Sequence, residues 1–442
     1  MDILGKFLDT VNSYVWGAPL LIILFGTHIF LTFRLGFIQK HIFKAIKISF
    51  TRKKEGIGDI SHFGSLMTAM AATVGTGNIV GVATAVSAGG PGAIFWMWLT
   101  GVFGISTKYA EALLSVKYRV VEPDGTIAGG PMYVLERGLK SKWLGVAFAI
   151  FTAVAAFGIG NMVQANSISG LMKTNFNISP WIVGSILTVM TAVVIIGGIK
   201  SIAKVCGLLV PVMASLYIVG CVFILLLHWE LIPGAIKLIF NSAFTGQAAI
   251  GGFLGVGMRQ AVRFGIARGL FSNESGLGSA PIVAAAAQTK DPVRQALVSS
   301  TGTFWDTVVV CALTGLVIVC SGAWMQDGLK GAEITHFAFA KSGFFGQSLL
   351  TFGLLTFVFS TILGWSYYGE KAIEYLLGKK SVKWYRWVWV LCVMLGSVAS
   401  IHIVWTFADI ANGLMALPNL LSLLILSPIV ASETKRYFGK SA

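Results

Sequence analysis

Thr73-Val74-Gly75-Thr76-Gly77-Asn78 interrupts an apolar run from about Phe63 to Val86, and Ser272-Asn273-Glu274-Ser275-Gly276-Leu277-Gly278-Ser279-Ala280-Pro281 interrupts a second one. Glycine weakens a helix and proline breaks it, so neither run serves the stability of a membrane helix. Backbone groups freed at membrane depth are tolerated only where protein or a polar cavity surrounds them. Paired breaks in corresponding halves of a membrane protein point to a transporter's binding site.

The surrounding chain is membrane material. Its 442 residues are 55% hydrophobic and 12% charged, and its mean hydropathy is +0.79; about a quarter of an average chain is charged. The formal net charge of +15 sits in short connections between apolar stretches. With no aromatic-interleaved basic face, it reads as an orientation signal rather than a nucleic-acid surface. Cys206, Cys221, Cys311, Cys320 and Cys392 lie in apolar segments without a CxxC pair and read as small buried hydrophobes. The six histidines show no metal-ligand spacing. There is no nucleophile elbow or phosphate loop, which argues against an enzyme, and a channel would build its filter from symmetric copies. Asp2 and Asp9 carry the wrong charge for a signal peptide, and the apolar run that follows is too long for one, so it reads as a retained span.

A span needs about 20 apolar residues. Eleven stretches qualify, approximately 14–35, 61–87, 92–116, 143–172, 180–199, 203–228, 247–285, 293–320, 345–377, 385–403 and 405–431. The seventh and ninth are too long for one straight helix and are expected to contain an interfacial or broken portion. Lys40, Lys44, Lys47, Arg52, Lys53 and Lys54 follow the first span; Lys117, Arg119, Arg137, Lys140 and Lys142 follow the third. Lys379, Lys380, Lys383 and Arg386 precede the tenth, and Lys435, Arg436 and Lys440 close the chain. The alternate loops hold only Lys173, Lys237, Lys330 and Lys341. The positive-inside rule then puts the N-terminus outside and the C-terminus in the cytoplasm. Phe37–Ile48 is basic and amphipathic and reads as a helix on the cytoplasmic membrane surface. Ala332 to Ala340 is a short helix candidate on the outer face. Trp384, Trp387 and Trp389 fit an interfacial aromatic belt. Short loops suit a prokaryotic inner (plasma) membrane.

With the first span set aside, the other ten form two groups of five, 61–228 and 247–431, each opening on a broken span. Five is odd, so the groups have opposite orientation, which makes an inverted repeat within one transmembrane domain. A broken helix offers free N–H groups where it resumes and free C=O groups where it stops. The first attract a carboxylate, the second Na⁺ or an ammonium group. Two such helices can hold both ends of an amino-acid zwitterion. Gly75 and Gly77 allow close approach to backbone, and Asn78 adds an amide.

Gly75-Thr76-Gly77-Asn78-Ile79, Gly129-Gly130-Pro131-Met132-Tyr133 and Leu270-Phe271-Ser272-Asn273-Glu274-Ser275-Gly276-Leu277-Gly278-Ser279-Ala280-Pro281 resemble, in order, the motifs of the alanine or glycine:cation symporter family. The resemblance covers nearly the whole chain. It implies an all-α polytopic membrane protein of about eleven transmembrane helices, with a LeuT-type five-plus-five inverted repeat and one extra N-terminal helix. It also implies symport of alanine or glycine with Na⁺ by alternating access. On that comparison Thr76, Gly77 and Asn78 would meet the substrate carboxylate, and Gln164 would hydrogen-bond the substrate. Phe271 and Asn273 would supply carbonyls and wall, and Trp365 would close the pocket. For sodium, the fold's common site would pair the carbonyls of Ala71 and Val74 with the adjacent hydroxyls of Ser360 and Thr361, a neutral set of hard oxygens.

Charges at membrane depth are functional by default. Glu274 lies in the second break, where it could touch the substrate amine or a cation, or pair with Arg268 to hold the break open; the structural role is the favoured expectation. Arg259, Arg263 and Arg268 precede that break, and an Arg–Asp pair with Asp409 is a candidate outer gate. Glu274 and Asp306 leave proton coupling open as an alternative, and glutamine or serine remain rival substrates.

Overall fold

The computed structural model describes residues 3–51, 56–245, 257–326, 328–329, 331–399 and 402–439. Helices dominate, joined by short turns and one two-stranded antiparallel ladder, Val120–Val121 with Ile127–Ala128. Among the described residues six helices are long and apolar enough to cross a bilayer. A seventh span forms if His62–Thr73 and Gly77–Gly89, bent by 52° at the first break, count as one. The other expected spans occur as Gly92–Lys117, Pro180–Ile195, Met258–Asn273 with Pro281–Ala284, and Ser381–Val398. Polarity, shortness or a break keeps each below that threshold, so the number of crossings stays coarser than eleven.

Several boundaries differ from the sequence expectation. The first span does not begin at residue 14. Helix Ile3–Val15 precedes Ala18–Arg34, with Gly17 and Pro19 at the junction. The start of the expected seventh span, 247–256, lies outside the described residues, as do Arg52, Lys53, Lys54, Lys330 and Lys440. A helix absent from the expectation, Ile232–Thr245, precedes that region. The ninth stretch is unbroken: Gly343–Leu377 is one helix of 35 residues, roughly 52 Å long at 1.5 Å per residue, against a hydrocarbon core of about 30 Å. Its C-terminal end carries the excess, because the charges there are paired. Lys371 meets Glu374 at 2.7 Å, and Arg386 meets Glu370 at 2.7 Å. Trp384 and Trp387 are exposed, as a belt requires, but Trp389 is fully buried and leaves the belt; its carbonyl accepts from Asn161.

The Gly92–Lys117 helix packs against Met258–Asn273 and Pro292–Thr303, while Gly343–Leu377 packs against His62–Thr73, Gly198–Leu227 and Lys142–Ala155. Both broken helices are thus lined by continuous ones. At one end Arg119 gathers the carbonyls of Ile57, Ala285, Ala287 and Thr289 at 2.7–3.0 Å. This ties the approach to the first broken helix to the exit from the second. Helix Ile42–Ser49 lies against Pro292–Thr303, with the His41 ring stacked on Phe438 at 4.1 Å.

The long helix meets the first broken helix closely at Gly364, where a Cβ would sit 2.7 Å from the Ala72 backbone nitrogen. Backbone cannot give way as a side chain can. Gly364→Ala is expected to destabilise the protein by about 1–3 kcal/mol through overpacking. Gly170→Ala, at a helical position with open space around it, should be neutral or stabilise by up to ~1 kcal/mol. Thermal unfolding in detergent distinguishes them.

Candidate functional site

The first break starts where Val74 leaves the helix for extended backbone, at φ −77°, ψ 95°. The chain resumes at Gly77 through a wide, π-type turn to Gly81. Asn78 shapes the corner: its Oδ1 accepts from the Gly75 N–H at 2.8 Å, and its Nδ2 donates to Asp306 Oδ1 at 2.7 Å. Gly75 lies against the long helix, and a Cβ there would come within 2.6 Å of Thr361 Oγ1. This closeness brings the carbonyl end of the broken helix to the hydroxyls. Ser360 Oγ lies 3.2 Å from the Ala71 carbonyl, and Thr361 Oγ1 lies 3.5 Å from that of Val74. All four residues of the expected sodium set therefore meet. The set carries no formal charge and consists of hard oxygens, a donor chemistry that suits an alkali cation. Both hydroxyls also donate to the Phe357 carbonyl, which leaves their lone pairs available.

The second break is built differently. Glu274 caps helix Met258–Asn273 in the left-handed region at φ 54°. Gly276 and Gly278, at φ +88° and +87°, turn the chain where a side chain would be strained. The freed N–H groups of Gly276 and Gly278 both donate to Glu111 Oε1, at 3.0 and 3.1 Å. Asn419 donates to the same oxygen at 2.7 Å and to the Gly276 carbonyl at 2.9 Å. The anion site that a resuming helix creates is occupied here by the protein's own carboxylate. Glu274 accepts from Ser279 Oγ at 2.5 Å and from Trp365 Nε1 at 3.1 Å.

Between the first break and the long helix lies a narrow cavity lined by Gly75, Thr76, Gly77, Gln164, Phe271, Glu274, Thr361, Trp365 and Asn412, among others. Its solvent-accessible volume is about 20 Å³, within an empty space of about 320 Å³. Gln164 donates to the Ile159 carbonyl at 2.9 Å, while its Oε1 is buried without a partner among the described residues, as is Oδ1 of Asn412. One wall thus presents the start of a helix, and another presents unpaired acceptors.

Thr76, Gly77, Gln164, Phe271 and Trp365 line the cavity as expected. Asn78 and Asn273 do not. Both ends of the Asn78 amide are engaged with Gly75 and Asp306. Asn273 Oδ1 accepts from the Ser275 N–H at 2.9 Å, and the residue borders a separate small void. Arg268 makes no close ion pair with Glu274 or Asp409 among the described residues, although it lies within electrostatic range of Asp409. Glu274 is held by Ser279 and Trp365, and Arg268 lies over the Phe271 ring, 5.9 Å from its centroid. Asp409 accepts from Asn12 at 3.1 Å, and its carbonyl accepts from Trp16 at 3.0 Å. That residue binds the N-terminal helix to helix His402–Ile425. Sequence reasoning missed Asn412, Glu111 and Asn419. Their signal was a polar residue inside an apolar stretch. Asp306, fully buried, joins the two breaks by accepting from Asn78, Ser272 at 3.0 Å and Thr307 at 2.7 Å.

The sequence profile of the sodium:alanine symporter family matches residues 1–442. The chain belongs to that family. A sodium/alanine symporter, AgcS of Methanococcus maripaludis, is 53% identical over 442 residues, covering 98% of this chain and 97% of that protein. Among solved structures, MhsT in complex with L-phenylalanine matches with a TM-score of 0.58 at 15% identity, over 86% of this chain and 98% of that one. A Na⁺-coupled sialic acid symporter in its substrate-bound outward-open state matches with a TM-score of 0.55 at 11% identity, over 94% and 98%. These likenesses give a LeuT-type transporter fold. As a member of the sodium:alanine symporter family the chain is a multi-pass membrane transporter with Na⁺ as coupling ion, and not an enzyme.

Glu111→Ala should free the buried N–H groups of Gly276 and Gly278, at about 1–3 kcal/mol for each group left unsatisfied. Thermal unfolding of the purified variant against wild type reads this loss.

Proposed function

We propose that the protein carries alanine, and also glycine, into the cell with Na⁺ by alternating access. The amino acid occupies the cavity beside the first break, and Na⁺ binds to Ala71, Val74, Ser360 and Thr361. The observation that carries this reading is the meeting of two broken-helix carbonyls with two adjacent hydroxyls, directly beside a cavity that offers opposite chemistries on its walls. The substrate carboxylate faces the helix start at Thr76 and Gly77. The amino group faces Gln164 Oε1, Asn412 Oδ1 and the Glu274 carboxylate. The second break cannot take the carboxylate, because Glu111 already fills its N–H groups. Phe271, Ile159 and Trp365 leave room for a small side chain only, which favours alanine over glutamine. The name of the 53% identical relative, sodium/alanine symporter, supports the same substrate.

Residues 61–228 and 247–431 act as the two inverted repeats of one transmembrane domain, and 14–35 lies in the additional N-terminal span. The asymmetric distribution of Lys and Arg favours an outer N-terminus and a cytoplasmic C-terminus in the cell membrane.

Labelled alanine should enter proteoliposomes when an inward Na⁺ gradient is imposed. Uptake that ignores Na⁺ and follows a pH gradient would overturn the coupling. Ser360→Ala combined with Thr361→Val should raise the Na⁺ concentration for half-maximal uptake at least about tenfold, equivalent to ~1.4 kcal/mol. Asn412→Ala should raise the KM for alanine while leaving Na⁺ affinity measured without substrate near wild type. An unchanged KM would remove Asn412 from the site.

A further inference from the structure

Lys108 lies on the Gly92–Lys117 helix, only 3% exposed, and its Nζ has no hydrogen-bond partner among the described residues. A bare ammonium at membrane depth is costly unless something compensates it. It borders a small void with Thr73 of the first broken helix, Asn273 and Ala280 of the second, and Ser299. Asn273 Nδ2 is also buried without a partner among the described residues. The void holds about 10 Å³ of solvent-accessible volume, the lower limit for one water.

The charges around Lys108 explain its solitude. Glu111, Glu274 and Asp306 each lie within electrostatic range of it, and His28 feels it from another helix. No ion pair joins Lys108 to any of these acids among the described residues. Each takes its hydrogen bonds from neutral donors instead: Glu111 from Gly276, Gly278 and Asn419, Glu274 from Ser279 and Trp365, Asp306 from Asn78, Ser272 and Thr307. The ammonium compensates them through space. Two of the three, Glu111 and Glu274, hold the second break together, and Asp306 joins both breaks.

We propose that Lys108 is a tethered counter-cation: it supplies from within the protein the positive charge that an additional alkali cation would otherwise bring to the two breaks, and so sets how many Na⁺ ions accompany each amino acid. This rests on the Na⁺ set assigned above. Without the ammonium, three carboxylates within its electrostatic range stand uncompensated near a void edged by Thr73 and Ser299. Hard oxygens beside uncompensated negative charge attract a small cation.

The test compares wild type, Lys108→Gln and Lys108→Arg, purified at full length. Thermal unfolding is read across a Na⁺ series, and the charge moved per alanine is read in proteoliposomes. Lys108→Gln should show a steeper Na⁺ dependence, with a Hill coefficient up by about one, and one more positive charge moved per alanine. Lys108→Arg, which keeps the charge, should follow wild type. Recovery of folded Lys108→Gln only at high Na⁺ supports the proposal. The proposal is overturned if Lys108→Gln keeps the wild-type steepness and midpoint. It is also overturned if that variant stays unfolded at every Na⁺ concentration, since the vacated position then takes no cation. Wild type that gains no stability from Na⁺ would instead sink the assigned sodium set.

Discussion

Backbone groups released from a helix inside a bilayer must find partners within the protein, and the two breaks of this chain meet that demand in opposite ways. At the second, one oxygen of Glu111 takes two N–H groups and the Asn419 amide, so the break is sealed. At the first, Asn78 closes only the corner, by accepting from Gly75, and the backbone from Gly75 to Gly77 faces a cavity. Transport chemistry needs one helix start left open. The same constraint explains why a polar scaffold of Glu111, Asn419, Asp306 and Ser272 lies buried in so apolar a chain: it keeps the rest of the broken backbone satisfied.

Close backbone approach gives that scaffold the oxygen set proposed for Na⁺. Gly75 against Thr361 and Gly364 against Ala72 let the first broken helix lie on the long helix with no side chain between. Two carbonyls that a regular helix would have used internally then face two hydroxyls. The oxygens are neutral and already oriented by Phe357, so ligation requires little rearrangement.

Much of this was legible in the sequence, because it depends on residue types with narrow physical uses. Glycine and polar runs inside apolar stretches marked the breaks, and adjacent hydroxyls marked the contact of Ser360 and Thr361 with the Ala71 and Val74 carbonyls. Side-chain direction was not legible. Asn78 and Asn273 sit in the right segments but turn to brace backbone. Asn412 sits in an apolar helix distant in sequence and turns toward the cavity. Asp409 and Arg268 have complementary charge, yet Asn12 and Trp16 claim the aspartate. Helix Ile232–Thr245 escaped notice because its apolar run is too short to read as a span. The length of Gly343–Leu377 looked excessive because two partners that hold its polar end, Arg386 and Glu136, come from other parts of the chain.

That long helix has a mechanical consequence. Thr361 lies sixteen residues from Leu377, a stiff arm of roughly 24 Å at 1.5 Å per residue. Its far end is fastened by Glu370 to Arg386, while Tyr375 donates to Glu136 at 2.8 Å. A rod anchored this way converts a small rotation at Thr361 into a larger sweep at the membrane edge: a tilt of about 5° over such an arm moves the tip by about 2 Å. An ion at the proposed Ser360–Thr361 set would therefore act at a fulcrum, with its leverage felt at the clasp of Glu370 and Glu136.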